Sequence, residues 1–397
     1  MSFMTKKVLI VSSYCFNNAS ANGICAQALR EAFNDKNIET HLLGIGDAGV
    51  LLRNEYVIPE MTKKGATISK IGAFKRLIKS FFIPIQDKQM IDSYYTIIKR
   101  LHKEHNFDVI VAMFFPLEIV TAVARLKKEV NDFSFVIYEL DSVADGIGGD
   151  KKSIFKLLSS KSNVRWCEKN YKLADVICVL KGHEEHAKRV YGKAFGDKIK
   201  IVDIPLLKDN FMLNAPAGSD IVKFVYSGEL NSVYRPADRL LDVFDKKRSF
   251  ENWHLHFFTK GNCESYLKGR AKFDDRIHCH GYVSQDVLRK HFETTDCLIS
   301  IGNTHSNSVP SKIINYISLG KPIIHFCLQD NDICETYLNK YPLALIIQKN
   351  ESIEAASKQV VEFVQNTIGK TMEFDQVCKL FPMNLSSYSV DIVMESI

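Results

Sequence analysis

The densest set of groups able to hold an anion lies in one polar loop, between an apolar run and a helix. Residues 303–326 read Asn-Thr-His-Ser-Asn-Ser-Val-Pro-Ser-Lys-Ile-Ile-Asn-Tyr-Ile-Ser-Leu-Gly-Lys-Pro-Ile-Ile-His-Phe, directly after the strand-like run Cys297–Ile301. A buried strand that empties into such a loop, and then into a helix near Pro310, aims free backbone N–H groups and a positive helix end at whatever lies above the sheet. Ser308 suits the cap and Pro310 the first turn, Gly320 closes the helix, and Lys321-Pro322 launches the next strand, Ile323–Phe326. Phosphates are the natural guests of that geometry.

The string Pro310-Ser311-Lys312-Ile313-Ile314-Asn315-Tyr316, followed by Gly320-Lys321-Pro322-Ile323-Ile324, resembles the donor-binding motif of the retaining glycosyltransferases of family 4, which have the GT-B fold and include enzymes of bacterial surface-polysaccharide assembly. Matching cues run from Lys6 to about Phe326. The resemblance implies that the helix start, with Ser311 and Lys312, holds the diphosphate of a nucleoside-diphosphate sugar, and that a glutamate on the helix contacts the ribose. Asn315 stands where that glutamate is expected, and Asn307, eight residues earlier, where the family's other glutamate commonly falls. An amide can still exchange hydrogen bonds with hydroxyls. The resemblance also implies backbone contact with the nucleobase at Tyr282 and Val283, and close approach of backbone to ligand at Gly23, where the family often has two glycines and this chain has one.

Two further strand ends carry cations. Tyr226-Ser227-Gly228 is followed by Arg235, and Phe258-Thr259-Lys260-Gly261 ends the next run. A donor diphosphate brings about two negative charges and gains more as the sugar departs, so cations there stabilise the transition state preferentially. Arg235 and Lys260 match the family's basic pair by position; the competing reading is a pair of solvated surface charges. On the acceptor side, Phe135–Tyr138 runs into Glu139-Leu140-Asp141 and a glycine-rich loop, residues 146–149. Carboxylates there could orient or deprotonate an acceptor hydroxyl. Asp141 matches the family's acidic position, and Glu139 lies on the same face of an extended chain. The alternative for both is helix capping or pairing with a nearby lysine, and Glu168 and His183 are expected to be structural. There is no G-x-S-x-G elbow, no P-loop, no H-E-x-x-H and no G-x-G-x-x-G after the first strand. The lack of a D-x-D pair at a strand end argues against an obligatory divalent metal at the diphosphate, so no metal or cofactor is expected; positive charge would come from Arg235, Lys260, Lys312 and helix ends.

The elements that must position these groups follow from length and pattern. A chain of 397 residues is too long for one compact core and suits two domains. Apolar runs at 8–11, 40–43, 109–113, 135–138, 176–180 and 199–202 alternate with helical patterns, such as Ile24–Phe33. After a loop-like stretch at 210–220 the alternation restarts at 223–226, 254–258, 276–279, 297–301, 323–326 and 343–347. Such alternation implies parallel sheets covered by helices on both faces. The expected fold is α/β, two tandem Rossmann-like domains (GT-B) facing across a cleft. Residues 1–214 would form the acceptor-side domain and 215–375 the nucleotide-sugar domain, while 376–397 would be a helix returning to the first, as the resemblance implies. Ligands of doubly wound sheets gather beyond the carboxyl ends of the strands.

Composition excludes other classes. With 46% apolar and 25% charged residues the chain is an ordinary globular protein. Its ten cysteines show no C-x-x-C pair or metal-ligand spacing, which fits reduced thiols in a cytosol. The short run at 6–11 falls far short of a signal peptide or membrane span, so a cytoplasmic protein is expected. Residues 1–214 carry 32 Lys+Arg against 24 Asp+Glu, whereas 215–397 carry 20 against 22, summing to the net +6. Part of the excess lies between Lys63 and Lys79, where Lys63, Lys64, Lys70, Lys75, Arg76 and Lys79 accompany Ile71, Phe74, Ile78 and Phe81 at helical spacing. Such a helix could lie on an anionic membrane surface through 63–82, or pack on its own domain. No nucleic-acid-binding module accompanies the patch. These readings converge on a retaining hexosyltransferase-type enzyme in polysaccharide biosynthesis, moving sugar from a nucleotide-sugar donor to a glycan or lipid-linked acceptor, with peripheral attachment at the inner face of the membrane. A nucleotide-sugar epimerase on the same fold, or a catalytically silent nucleotide-sugar-binding subunit, remains the alternative.

Overall fold

The computed structural model describes residues 6–16, 20–46, 51–59, 84, 86–141, 154–209, 221–245, 252–304 and 311–397, with backbone alone over 154–160. The basic stretch 63–82, the loop 146–149 and the residues Asn307 and Ser308 lie outside them. The chain divides into two compact units, Met1–Leu206 with Met383–Ile397, and Leu207–Pro382.

The first unit holds strands β1 (Lys7–Tyr14), β2 (Glu39–Ile45), β3 (Glu55–Ile58), β4 (Val109–Phe114), β5 (Ser134–Glu139), β6 (Val176–Leu180) and β7 (Ile199–Val202). They form one sheet in the order β3-β2-β1-β4-β5-β6-β7, every neighbouring pair parallel. Helices α1 (Ala21–Asp35), α2 (Lys88–His105), α3 (Leu117–Glu129), α4 (Ile154–Tyr171) and α5 (Glu184–Phe195) supply the crossovers. Central strands are buried on both faces, and β4 has no exposed residue. They therefore read as unbroken apolar runs rather than alternating ones.

The second unit repeats the plan with β8 (Val222–Glu229), β9 (Trp253–Lys260), β10 (Ile277–Cys279), β11 (Cys297–Ile301), β12 (Ile323–Phe326) and β13 (Ala344–Ile347). The order is β10-β9-β8-β11-β12-β13, again all parallel. Its helices are α6 (Asp238–Val243), α7 (Glu264–Ala271), α8 (Gln285–Glu293), α9 (Ser311–Ser318), α10 (Glu335–Leu338), α11 (Ile353–Thr367) and α12 (Phe374–Leu380). All twelve anticipated runs are strands. The added strand is β3, an edge strand with a single buried residue and therefore a weak apolar signature.

Helix α13 (Ser386–Glu395) belongs to the first unit. Tyr138 of β5, fully buried, donates to the Asp203 carbonyl at 3.0 Å and lies 2.8 Å from Ser389 Oγ. Asn384 Nδ2 donates to the Ile204 carbonyl at 3.1 Å, and Lys36 of α1 pairs with Asp391. Buried polar partners of this kind fix one docking position, because any slip leaves them unsatisfied.

Caps in the sequence set the helix starts. Ser20 accepts from the Gly23 amide at 3.1 Å to open α1, and Asp87 accepts from Gln89 and Met90 to open α2. Helix α2 ends on His102, Lys103 and His105, with Asn106 in the left-handed region at φ 53°, which favours the negative helix end. Gly23 has a packing reason to lack a side chain: a Cβ there would fall 1.9 Å from the Tyr14 carbonyl oxygen and 2.7 Å from Cys15 Cα. Gly23→Ala must push α1 off the end of β1, an overpacking error expected to destabilise by about 1–3 kcal/mol. A urea-denaturation midpoint equal to wild type would contradict this.

Candidate functional site

Chain order in the second sheet reverses between β8 and β11. Crossovers leave in opposite directions from two such strands, so a crevice opens beyond their carboxyl ends. β8 ends in Ser227, Gly228 and Glu229, and β11 runs out into Gly302 and Asn303.

Three cations converge there. Arg235 sits on a tight turn in which Asn231 and Arg235 exchange backbone hydrogen bonds of 3.1 and 2.9 Å. Its Nε and Nη2 donate to Asn303 Oδ1 at 3.0 and 2.5 Å, and Nη1 donates to the Glu229 carbonyl at 3.3 Å. The Thr304 amide donates to the Tyr234 carbonyl at 2.9 Å, which ties this turn to the loop after β11. Lys260, the last residue of β9, is exposed, with its ammonium 5.3 Å from the Tyr282 ring centroid. Lys312, in the first turn of α9, donates to Ser227 Oγ at 2.8 Å. Gly228 makes room for the Lys312 stem: a Cβ on it would lie 3.5 Å from Lys312 Cδ and 3.2 Å from Tyr226 Oη, at a φ of +155° that L side chains rarely adopt.

The acceptors that hold these cations are an amide, a carbonyl and a hydroxyl, all neutral. Among the described residues no carboxylate pairs with Arg235, Lys260 or Lys312. Their charge is therefore available to a ligand. Protein crowded around the Lys312 ammonium, with Arg235 and then Lys260 adding like charge, lowers its pKa to about 8, although the residue keeps solvent contact. The group lies in a recess that is dense with protein yet open to water.

Beneath the recess, Tyr316 is 3% exposed; its hydroxyl accepts from the Ser227 amide at 2.8 Å and lies 3.2 Å from the Ser227 carbonyl. Burial pushes its phenol well above the usual tyrosine range, so it stays neutral. Tyr226 Oη donates to the Glu229 carbonyl at 2.9 Å, and burial raises that phenol to about 12. The end of β8 is thus pinned from both sides.

Of the residues anticipated from sequence, Gly228, Arg235, Lys260, Ser311 and Lys312 gather at this strand reversal, and Tyr282 joins them through Lys260. Val283 follows Tyr282 and is half-buried; Asn315, one turn beyond Lys312, is exposed. Asn303, Ser227 and Tyr316 are additional. Asn303 is the first polar residue past β11 and Ser227 opens the polar end of β8, a signal that was present in the sequence. Tyr316 reads as part of the apolar face of a helix, and nothing in its spacing marks it.

The first unit has the same reversal between β1 and β4. Asn22 Nδ2, beside Gly23, donates to the carbonyls of Phe114 and Phe115 at 3.2 Å each, spanning the two strand ends. Glu139 is fully buried and accepts from Tyr171 Oη at 2.9 Å and Tyr191 Oη at 2.7 Å, which anchors α4 and α5 on β5. Asp141, two residues on, is half-buried. His183 is buried at the start of α5, and Glu168 is exposed on α4.

Residues 222–366 match the family model described as Glycosyl transferases group 1, so the second unit carries a domain of that type. Comparison with curated protein sequences finds no match. Among solved structures, the chain is similar to a glycosyltransferase from Rickettsia africae (TM-score 0.68, 12% identity, 99% of each chain). It is likewise similar to the lipopolysaccharide outer core galactosyltransferase WaaB (0.58, 11%, 99% of each). A third is the UDP-GlcNAc 2-epimerase of Methanocaldococcus jannaschii (0.60, 11%, 99% of this chain and 100% of that one). Likeness over whole chains at such low identity carries the fold, which is GT-B, with two Rossmann-like sheets.

Tyr316→Phe removes the acceptor for a buried Ser227 amide, a loss that costs about 1–3 kcal/mol. Thermal unfolding should shift down accordingly while the family-matched unit stays folded by circular dichroism; an unchanged melting temperature would remove Tyr316 from the support of the site.

Proposed function

We propose that the chain is a retaining glycosyltransferase that moves a hexosyl group from a nucleoside-diphosphate sugar to a glycan or lipid-linked acceptor in polysaccharide biosynthesis. The observation that carries this reading is the trio Arg235, Lys260 and Lys312, the first and last held on neutral acceptors and Lys260 beside the Tyr282 ring, at the strand reversal of a unit that matches a glycosyltransferase family. The donor diphosphate sits among the three, with the amides at the start of α9 adding to the field. Tyr282 and Val283 border the nucleobase, and Asn315, with Asn307, meets the ribose and sugar hydroxyls.

As the glycosidic bond breaks, negative charge grows on the leaving phosphate. Arg235 and Lys260 stabilise that charge more than they stabilise the ground state, which lowers the barrier. The leaving phosphate oxygen, on the face that the acceptor hydroxyl approaches, takes the hydroxyl proton. Asp141 orients the acceptor, while Glu139, held by two tyrosines, fixes the strand end from which Asp141 projects. No metal at the diphosphate is required in this scheme, because the protein supplies the positive charge. The basic excess of the first half suits an acceptor at the inner face of a membrane, with 63–82 as the contact; no helix among the described residues is long and apolar enough to cross one.

A thermal-shift panel of UDP-, GDP-, ADP- and dTDP-sugars tests donor binding. Saturation at a hundredfold over Kd stabilises by about 2.7 kcal/mol. Product analysis with donor alone separates the epimerase reading, since a transferase needs an acceptor. The double charge reversal R235E/K260E should lower kcat/KM by about 10³ or more with the melting temperature held or raised. Turnover that survives would end the proposal.

Lys312 adds a pH signature. Its charge is present below about pH 8 in the free protein and is lost as pH rises through that value. Donor affinity should be flat between pH 7 and 7.5 and fall by up to about tenfold per unit above 8. Lys312→Arg should abolish the inflection and Lys312→Gln should weaken binding by about tenfold or more across the range. Calorimetry of donor binding from pH 7 to 9 checks both. For the membrane contact, replacing the cations between Lys63 and Lys79 should abolish sedimentation with anionic liposomes; unchanged sedimentation removes it.

A further inference from the structure

Five imidazoles crowd one patch of the second unit, outside the cation trio. His254 and His256 alternate on β9, and His278 and His280 follow the same spacing on and just past β10. The two strands are parallel with His278 opposite His256, so all four side chains project from one face of the sheet. His291, in the last turn of α8, closes over them. Ring centroids lie 4.5 Å apart for His256 and His278, 5.2 Å for His256 and His280, and 5.0 Å for His280 and His291.

Packing does not account for this composition. A helix laid on a parallel sheet normally buries aliphatic side chains, whereas here the contact is polar and short of partners. His278 Nε2 and His291 Nδ1 are buried without a hydrogen-bond partner among the described residues, and a buried polar atom of that kind calls for one. His256 Nδ1 and His280 Nε2 approach to 2.9 Å, a hydrogen-bonding distance that already draws these two rings together. Imidazole nitrogens bound tetrahedrally to zinc at about 2.0–2.1 Å lie about 3.3 Å apart. One nitrogen from each of His256, His280 and His291 already falls within 4.8 Å of the others, so small ring rotations close the set.

We propose that His256, His280 and His291 form a binding site for a divalent transition-metal ion, zinc or nickel in class, with a fourth position left to water. Neutral imidazole is the ligand type such ions select. The ligands come from three elements, β9, the turn after β10, and α8. A bound ion therefore braces the turn Gly281–Val283, which His280 immediately precedes, against the sheet, where Phe258 already stacks on the His280 ring at 4.4 Å. The proposal stands apart from any sugar-nucleotide chemistry, because its readout is metal uptake.

The test uses the untagged full-length chain. Titration with Zn²⁺ and Ni²⁺ followed by calorimetry should give one equivalent bound, with the melting temperature raised by the metal. Cu²⁺ electron paramagnetic resonance should show coupling to three imidazole nitrogens. His291→Asn and His256→Asn should each weaken binding by roughly 100-fold or more, at least the loss seen when outer-shell support of a metal ligand is removed. His291 leaves its helix intact when replaced by Asn, so this variant decides the matter if His256→Asn fails to fold. The proposal is overturned if wild type takes up no metal. It is equally overturned if His291→Asn binds as tightly as wild type, or if uptake survives His291→Asn but is lost in His278→Asn, which would seat the ion on His254, His256 and His278, or is lost only in His105→Asn, which would place it on Glu39, His41 and His105 of the first unit.

Discussion

Uncompensated positive charge at the end of a parallel sheet is the constraint around which the second unit is arranged. At an effective dielectric of about 20, two unit charges 4 Å apart interact by about 4 kcal/mol, so cations that make no ion pair among the described residues must be held by other groups. The holders are the Asn303 amide, the Glu229 carbonyl and the Ser227 hydroxyl, each fixed in turn by buried structure. Tyr316 pins Ser227 from below, and Tyr226 pins Glu229 from within a core that includes Phe224, Leu255, Phe257 and Ile299. The core offsets the repulsion, and the repulsion remains available to an anion.

The same topology serves two different ends in the two units. Each sheet reverses its strand order once, between β1 and β4 or between β8 and β11, and each reversal is bridged by a side chain, Asn22 in one and Arg235 in the other. A neutral amide spans the first, a guanidinium the second. On the proposed reading, this difference divides the labour: a reversal without clustered cations among the described residues suits a hydroxyl acceptor, and one with three suits a diphosphate. Fold alone does not make that distinction, since epimerases and transferases share it.

The sheets were legible in the sequence because strands buried on both faces are apolar throughout, and runs such as Val109–Met113 and Cys297–Ile301 have that length and composition. β3 escaped because an edge strand needs few apolar residues; Glu55 on it pairs with Arg30 of α1. The cations were legible for a related reason: they follow strands, where doubly wound folds place ligands. Partnerships across the fold were not. Glu139 and Asp141 look alike in sequence, yet tyrosines 32 and 52 residues downstream enclose the first. The histidines had a readable H-x-H spacing on two runs, but only the register of β9 against β10 brings His256 and His278 face to face.

Chemical differences among the three cations explain why the site uses an arginine and two lysines. The Arg235 fork is planar, permanently charged and fixed through Asn303, so it defines a direction. Lys260, exposed at a strand end beside the Tyr282 ring, is a charge on a flexible stem that can follow an atom as it moves. Lys312 is the one whose proton is in play, because crowding has brought its pKa down to about 8, close to neutral. An anion arriving beside it raises that pKa again, so binding and protonation reinforce each other. In the proposed reaction, charge accumulating on a leaving phosphate strengthens the same coupling, and the group most destabilised on its own becomes the one that gains most. An arginine in place of Lys312 would hold its charge throughout and respond to neither step.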